Sequence, residues 1–210
     1  YMQYPSPTIE SAMLYLHDAK YLTVLDLNSA YHQIGLDDKS KILSSFQTQI
    51  GTFCYNSVPF GLSTGSQILN SLLDTILGDI KYKYILNYLD DLIIYSKSYD
   101  EHLAHIREVL TRLRKANLTV NPEKVKFAQQ TVKFLGHIVG NSTIKIDQSR
   151  IDALLNIPVP KTPRAIAQFL GGVQFFGRFF PNLSILAAPL NKLRRKNADM
   201  VWTAECQLAW

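Results

Sequence analysis

The chain has 210 residues, 47% of them hydrophobic, so it can bury a real core in one large domain or two small ones. Its 22 Lys and Arg against 17 Asp and Glu leave a formal charge of +5, which permits a polyanionic partner. No apolar run is long enough for a bilayer and no signal peptide is visible, so no membrane partner is expected. Two distant cysteines, Cys54 and Cys206, form no CxxC pair, which fits reduced intracellular thiols without structural zinc.

In chain order, Tyr4-Pro5-Ser6-Pro7 is an extended start. Thr8 or Ser11 then caps a short amphipathic helix carrying Ile9, Met13, Leu14 and Leu16. Tyr21-Leu22-Thr23-Val24-Leu25-Asp26-Leu27 reads as a strand, with Leu22, Val24 and Asp26 on one face. Residues 35–60 read as loop and short strands, with Asp37-Asp38 a solvated turn and Pro59-Phe60-Gly61 a punctuated loop. Over 66–80, Ile68, Leu69, Leu72, Leu73, Ile76 and Leu77 recur at helical spacing, with Gly78 as the stop.

Ile85-Leu86-Asn87-Tyr88-Leu89-Asp90-Asp91-Leu92-Ile93-Ile94-Tyr95 predicts a hairpin buried on both faces, with two carboxylates at or near its turn. Ser98-Tyr99-Asp100-Glu101 is a capping box. It opens a helix with Leu103, Ile106, Leu110 and Leu113 as its apolar stripe and His102 and His105 at its surface. Asn121-Pro122 starts a helical turn, and a second hairpin pairs a strand over 132–139 with one over 143–146.

From Asp147 onward the composition shifts to helices separated by prolines. Thr162-Pro163 opens one with Ile166, Phe169, Leu170, Val173, Phe176 and Phe180 on one face and with Gly172 and Gly177 inside it. Between Arg150 and Lys196 lie eight Lys or Arg and one acid, Asp152, a net +7 that leaves −2 for the rest of the chain. Such one-sided imbalance is what a phosphate-tracking surface needs, with an ordinary solvated face as the alternative.

Adjacent carboxylates on apolar flanks repel one another and resist desolvation unless something positive sits between them. A divalent cation with oxygen ligands answers that for Asp90 and Asp91; a solvated Asp-Asp turn is the plain alternative. Asp26 projects from an otherwise apolar row; alone it reads equally as an acid at a strand's frayed end, but together with Asp90 and Asp91 it has the parts of a two-metal site for in-line phosphoryl transfer.

Tyr88-Leu89-Asp90-Asp91 resembles the Y-x-D-D signature of reverse transcriptases. Leu25-Asp26-Leu27-Asn28-Ser29-Ala30-Tyr31-His32-Gln33-Ile34 resembles their first aspartate motif, in the form used by gypsy-type LTR retrotransposons. The resemblance continues in order through Pro59-Phe60-Gly61-Leu62, Glu101-His102-Leu103, Asn121-Pro122-Glu123-Lys124 and Phe134-Leu135-Gly136-His137. It ends with Phe169-Leu170-Gly171, Pro181-Asn182-Leu183-Ser184 and Trp202-Thr203-Ala204-Glu205-Cys206.

The resemblance implies an α+β fold: a ferredoxin-like polymerase palm with partial fingers over 1–147 (the fingers insertion at about 35–64) and a helical thumb or connection over 148–201. The start of an RNase H-like region would occupy 202–210, and the first half of the fingers, with its basic triphosphate-binding residues, would precede residue 1. Asp26, Asp90 and Asp91 would be catalytic and, with the Leu27 backbone, would hold two Mg²⁺, or Mn²⁺ in their place. Tyr31 resembles the aromatic gate that excludes a 2′-hydroxyl, with Ala30, Phe60 and Gly61 completing the nucleotide site. Primer contacts would come from Tyr88, Leu89, Phe134, Leu135, Gly136 and His137. Contacts to the nucleic-acid backbone would come from Arg164, Arg178, Lys192, Arg194 and Arg195.

The implied function is RNA-directed DNA polymerase, adding deoxynucleotides from their triphosphates to a primer on an RNA or DNA template. The chain would be part of a retroelement polyprotein with RNase H and integrase downstream, located in the cytoplasm or a virus-like particle. Some residues depart from the family pattern. The usual T-N-A-P-x-x-F-Q is here Ser63-Thr64-Gly65-Ser66-Gln67-Ile68-Leu69-Asn70, and the usual K-T-A-F is Leu43-Ser44-Ser45-Phe46. The rival expectation is therefore a catalytically inactive or domesticated fragment that binds nucleic acid, although all three acids are present.

Overall fold

Apolar residues on both faces set an inner strand of the main sheet, β1 (Tyr21–Asp26), whose interior four residues are all buried. After it come α1 (Asp38–Leu43), β2 (Phe46–Thr48), β3 (Gly51–Phe53), α2 (Gly65–Leu77), β4 (Ile85–Tyr88), β5 (Asp91–Ser96) and α3 (Tyr99–Lys115). Then follow β6 (Lys126–Gln129), β7 (Thr131–Phe134), β8 (His137–Gly140) and β9 (Thr143–Ile146). Helices α4 (Gln148–Leu155), α5 (Pro163–Phe175), α6 (Leu183–Leu186), α7 (Ala188–Leu193) and α8 (Ala204–Ala209) complete the chain. The computed structural model describes residues 14–16, 18–195 and 200–210, excepting the Arg178 side chain. Most of the helix expected over 9–16, with its cap, lies outside the described residues. Two compact units result, Tyr1–Lys145 and Ile146–Trp210.

In the first unit the main sheet has the order β4-β5-β1-β6, with every neighbouring pair antiparallel. With α2 between β1 and β4 and α3 between β5 and β6, this is the ferredoxin-like β-α-β-β-α-β arrangement. Strand alternation gives the sheet two buried faces. On one, Leu25, Leu27, Ile85, Leu92 and Ile94 pack against Leu69, Leu73 and Leu77 of α2 and Ile106, Val109 and Leu113 of α3. On the other, Leu22, Val24, Leu86, Ile93 and Tyr95 pack against Val132, Phe134 and Val139 of β7 and β8. The hairpin's unbroken apolar flanks follow from this burial on both sides.

Several local expectations are corrected. The buried stripe of α3 is His102, Ile106, Val109 and Leu113, while Leu103 and Leu110 stay 40% and 42% exposed. Asp37 is not in a mere solvated turn: its side chain accepts from the Ser40 N–H and caps α1. The strand expected over 132–139 is broken at Leu135-Gly136, which turns with φ of 50° and 76° and pairs β7 with β8. Positive φ at both central residues is what a tight hairpin turn requires, and only Gly136 meets it without strain.

His102 is fully buried rather than at the surface. Its Nε2 lies 2.8 Å from Thr23 Oγ1 and its Nδ1 2.8 Å from Ser96 Oγ, which is also 2.8 Å from His105 Nδ1. The Ser96 hydroxyl has one proton for two rings, so one imidazole accepts from it and the other donates to it. Thr23 Oγ1 in turn accepts from the Ala128 N–H at 3.0 Å, where a register shift takes β6 out of its ladder with β1. Through these bonds α3, β5, β1 and β6 are joined beneath the sheet.

The second unit begins α5 as the sequence predicts, with Thr162 accepting from the Ala165 N–H and Pro163 in the first turn. The helix stops at Phe175, and a 3-10 turn, Gly177–Phe179, follows, so Gly177 is not inside it. Gly172 is, and a β-carbon there would lie 3.1 Å from Leu154 Cδ2 of α4, so the glycine admits a close helix approach. Ile166, Leu170, Ala187, Leu190, Leu193 and Cys206 form this unit's core, and α8 packs into it.

Burial pushes the His102 imidazole down to about 4 from its ordinary 6.5, with the neighbouring His105 adding to the effect. The unfolded chain therefore takes up this proton first as pH falls. The stability His102 contributes is complete above pH 6.5 and drains away toward pH 4. Urea denaturation midpoints should fall across that window. His102→Gln should flatten the fall while lowering stability by about 2 kcal/mol through partners left unsatisfied.

Candidate active site

Asp26 closes β1 and Asp91 opens β5, and the two are direct cross-strand partners. Both lie on the face where Leu22, Val24 and Ile93 pack, so their β-carbons are roughly 5 Å apart and like charges oppose each other. Burial, then the charges of Asp90 and Asp26, raise the Asp91 carboxyl above the ordinary carboxylate range; Lys124 pulls the other way. Asp90 sits in the two-residue turn between Tyr88 and Asp91, preceded by Leu89 at a left-handed φ of 56°. A branched residue there stores strain on the order of 1–3 kcal/mol.

The turn is fixed by neighbours that the sequence pattern alone did not reveal. Leu27 N–H donates to Asp90 O at 3.3 Å, and Asn121 N–H to Asp26 O at 2.8 Å. Gln33 bridges the two strands of chain beside them. Its amide donates to Asn28 O at 2.6 Å and Thr119 O at 3.1 Å, and its oxygen accepts from Thr119 N–H at 2.7 Å. Lys124 Nζ lies 3.1 Å from Asp26 Oδ2. Lys124 belongs to the Asn121-Pro122-Glu123-Lys124 motif, but nothing in the spacing announced Asp26 as its partner.

Tyr31 stands in a 3-10 turn, Ala30–Gln33, with its ring edge-on to Phe60 at 5.5 Å between centroids. Burial and then the charge of Asp90 raise its phenol, so the ring and the turn acid share one environment. Phe60 is 65% exposed and Gly61 adopts φ 91°, whereas Ala30 is buried in the core. Tyr88 and Leu135 pack at the edge of one apolar cluster. The Phe134 and His137 side chains are buried within the unit, so only the Leu135-Gly136 turn and Tyr88–Leu89 remain partly open to a ligand. In the second unit Arg164, Lys192, Arg194 and Arg195 are exposed; the Arg178 side chain is outside the described residues.

The family model for reverse transcriptase (RNA-dependent DNA polymerase) matches residues 1–139. The chain belongs to the reverse transcriptase family. The Tf2-3 and Tf2-4 transposon polyproteins of Schizosaccharomyces pombe are each 36% identical to this reverse transcriptase chain over 200 residues. The alignment covers 95% of this chain and 15% of each relative, so the chain spans about 15% of the length of those polyproteins. Among solved structures, the foamy viral protease-reverse transcriptase in complex with double-stranded DNA superimposes with TM-score 0.90 at 21% identity, over 100% of this chain and 37% of that one. The same viral protein in complex with an RNA/DNA hybrid gives 0.84 at 21% identity, over 98% and 28%. The fold is thus that of a reverse transcriptase polymerase domain.

Among the described residues of this reverse transcriptase chain, no three His, Cys, Asp or Glu side chains are gathered into a metal-holding group. The donor set nevertheless fits Mg²⁺, which takes oxygen ligands, is bound through one or two carboxylates, and draws the rest from water and substrate phosphates. Burial first, and then the neighbouring charges of Asp90 and Asp26, raise Asp91, and a cation here would offset both. Among the described residues no helix is long and apolar enough to cross a membrane.

Because the folded state holds the Asp91 proton more tightly than the unfolded chain does, ionisation above that raised value works against folding. Asp91→Asn should therefore raise the melting temperature of the metal-free chain at neutral pH. Mg²⁺ should then raise the melting point of the unaltered chain more than that of the variant. A lower melting point for Asp91→Asn in chelator would show that the acids do not repel.

Proposed function

We propose that this chain is the palm and thumb of an RNA-directed DNA polymerase, working within a gypsy-type retroelement polyprotein. The observation that carries it is the placement of Asp26 opposite Asp91, with Asp90 on the strained turn beside them. Asp26, Asp90 and Asp91, with the Leu27 carbonyl, would hold two Mg²⁺, or Mn²⁺. When bound, these ions lower the pKa of the primer 3′-hydroxyl and offset charge on the transferred phosphoryl group. The chain's residues do the positioning, which is most of the catalysis in phosphoryl transfer.

Tyr31 bounds the sugar of the incoming deoxynucleoside triphosphate, with Phe60 and Gly61 against its base and the template. The Leu135-Gly136 turn and Tyr88–Leu89 face the primer end. Arg164, Arg178, Lys192, Arg194 and Arg195 follow the phosphate backbone of template and primer. Base identity is read by pairing with the RNA or DNA template. RNase H and integrase regions would belong to the same polyprotein. The site of action would be the cytoplasm or a virus-like particle.

Asp90→Asn, an isosteric change to a poor Mg²⁺ ligand, should reduce primer extension by the polyprotein about a hundredfold or more while leaving duplex binding intact. Unaltered extension would remove the mechanism. The 210-residue chain alone should bind primer–template duplex with an affinity that falls steeply as salt rises, since the net +7 between Arg150 and Lys196 is inside it. Duplex binding with no primer extension by the polyprotein would make the chain a domesticated binding module.

A further inference from the structure

One side chain ties the turn that carries Tyr31 to the segment that leads into Lys124. Gln33 Nε2 donates to Asn28 O at 2.6 Å and to Thr119 O at 3.1 Å. Its Oε1 accepts from the Thr119 N–H at 2.7 Å and from the Thr119 hydroxyl at 3.1 Å. The amide therefore donates at one end and accepts at the other, a combination that neither an ionised Glu nor a Met reproduces. These bonds extend a ladder that the backbone begins. Asn121 N–H donates to Asp26 O at 2.8 Å, Asn28 N–H donates to Thr119 O at 3.0 Å, and Leu27 and Val120 form an antiparallel bridge between them.

At Ser29 the chain leaves this ladder, entering left-handed backbone at φ 48° before the 3-10 turn Ala30–Gln33. One 3-10 turn has poor hydrogen-bond geometry, and no side chain caps the start of this one. Its direction must be held from outside. Gln33, its last residue, reaches back to the ladder, and Ile34 just beyond it accepts from the Val58 N–H at 2.9 Å. Between those anchors, Tyr31 and His32 both meet Phe60 edge-on, at 5.5 and 4.8 Å between ring centroids.

We propose that Gln33 is a positioning residue of the nucleotide site. It locks the turn bearing Tyr31 to the strand end bearing Asp26, so the ring that bounds the sugar keeps its place relative to the carboxylate. The inference rests on the polymerase reading above. Gln33 acts on the substrate only through Tyr31. Without the lock the ring is held less firmly, and the clash that excludes a ribose 2′-hydroxyl softens.

The test is single-nucleotide addition in the polyprotein, with matched ribo- and deoxyribonucleoside triphosphates. The variants are Gln33→Met, which keeps the length without the hydrogen bonds, and Gln33→Asn, which keeps the amide one methylene short. Each is also made in a Tyr31→Val background. Both changes should raise the KM for the deoxyribonucleotide roughly tenfold, the worth of one or two hydrogen bonds, with its kcat retained. The ribo-to-deoxyribo ratio of kcat/KM should rise in both. In the Tyr31→Val background neither change should move the ratio further, because no ring remains to be placed. Duplex affinity should be retained throughout. A lower kcat with KM and ratio unchanged is the mark of a merely less stable protein and would overturn the inference. Unchanged kinetics, a rise in ratio that persists with Tyr31→Val, or loss of duplex affinity together with nucleotide addition would overturn it equally, with the polymerase left standing. No addition of either nucleotide by the unaltered protein would overturn the polymerase reading, and this inference with it.

Discussion

Two carboxylates facing each other across neighbouring strands must be held there by everything else. Asp26 and Asp91 share a register position and a sheet face, so their repulsion acts at short range and in partial burial. The opposing force is spread over the first unit's two apolar clusters, which clamp β1 and β5 from both sides. Neither strand can slip by one residue without exchanging the rows of side chains that fit the two different clusters. The acids are therefore fixed by hydrophobic register first, with backbone hydrogen bonds from Leu27 and Asn121 and the Lys124 contact added to it. That separation lets a site be electrostatically unfavourable and still well defined.

The same logic explains the turns. Leu89 and Leu135 both stand in left-handed backbone, a conformation leucine avoids, and each lies in a two-residue turn whose flanking strands are anchored by buried side chains. Burial of the flanks over-determines the turns, so the strain persists. Tyr88 and Leu135 each pack at the margin of the same apolar cluster, which places the acid-bearing turn and the Leu135-Gly136 turn on one side of the sheet. Polar atoms complete the frame from the opposite face, where Thr23, Ser96, His102 and His105 join the helix to the strands.

What could be read from the sequence followed from periodicity. The hairpin around Asp90-Asp91, the face shared by Leu22, Val24 and Asp26, the core side of α2 and the caps at Ser98 and Thr162 each have a local physical signature. What escaped has a tertiary cause. Leu135-Gly136 lacks the Asn-Gly or Asp-Gly chemistry that announces a tight turn, so one strand was expected where two exist. His102 passed for a surface residue because a polar side chain was left out of the apolar stripe. Its partners, Thr23 and Ser96, are separated from it by 79 and 6 residues. Lys124 and Gln33 act at the site through contacts spanning 98 and 86 residues, for which no spacing rule exists.

The Lys124–Asp26 contact bears on how the site is poised. The lysine side chain is 62% exposed while the aspartate keeps 20%, so water competes for the ammonium far more than for the carboxylate. A pair of that kind is worth at most about 1 kcal/mol. It offsets part of the negative charge gathered by the three acids without committing Asp26 to one partner. A fully buried ion pair would have fixed the carboxylate and made its release costly. The weaker arrangement keeps the backbone at Asp26 rigid, through the Asn121 and Leu27 bonds, while its side chain stays exchangeable. Rigid placement with an exchangeable counter-charge is what a carboxylate needs if cations are to come and go during turnover.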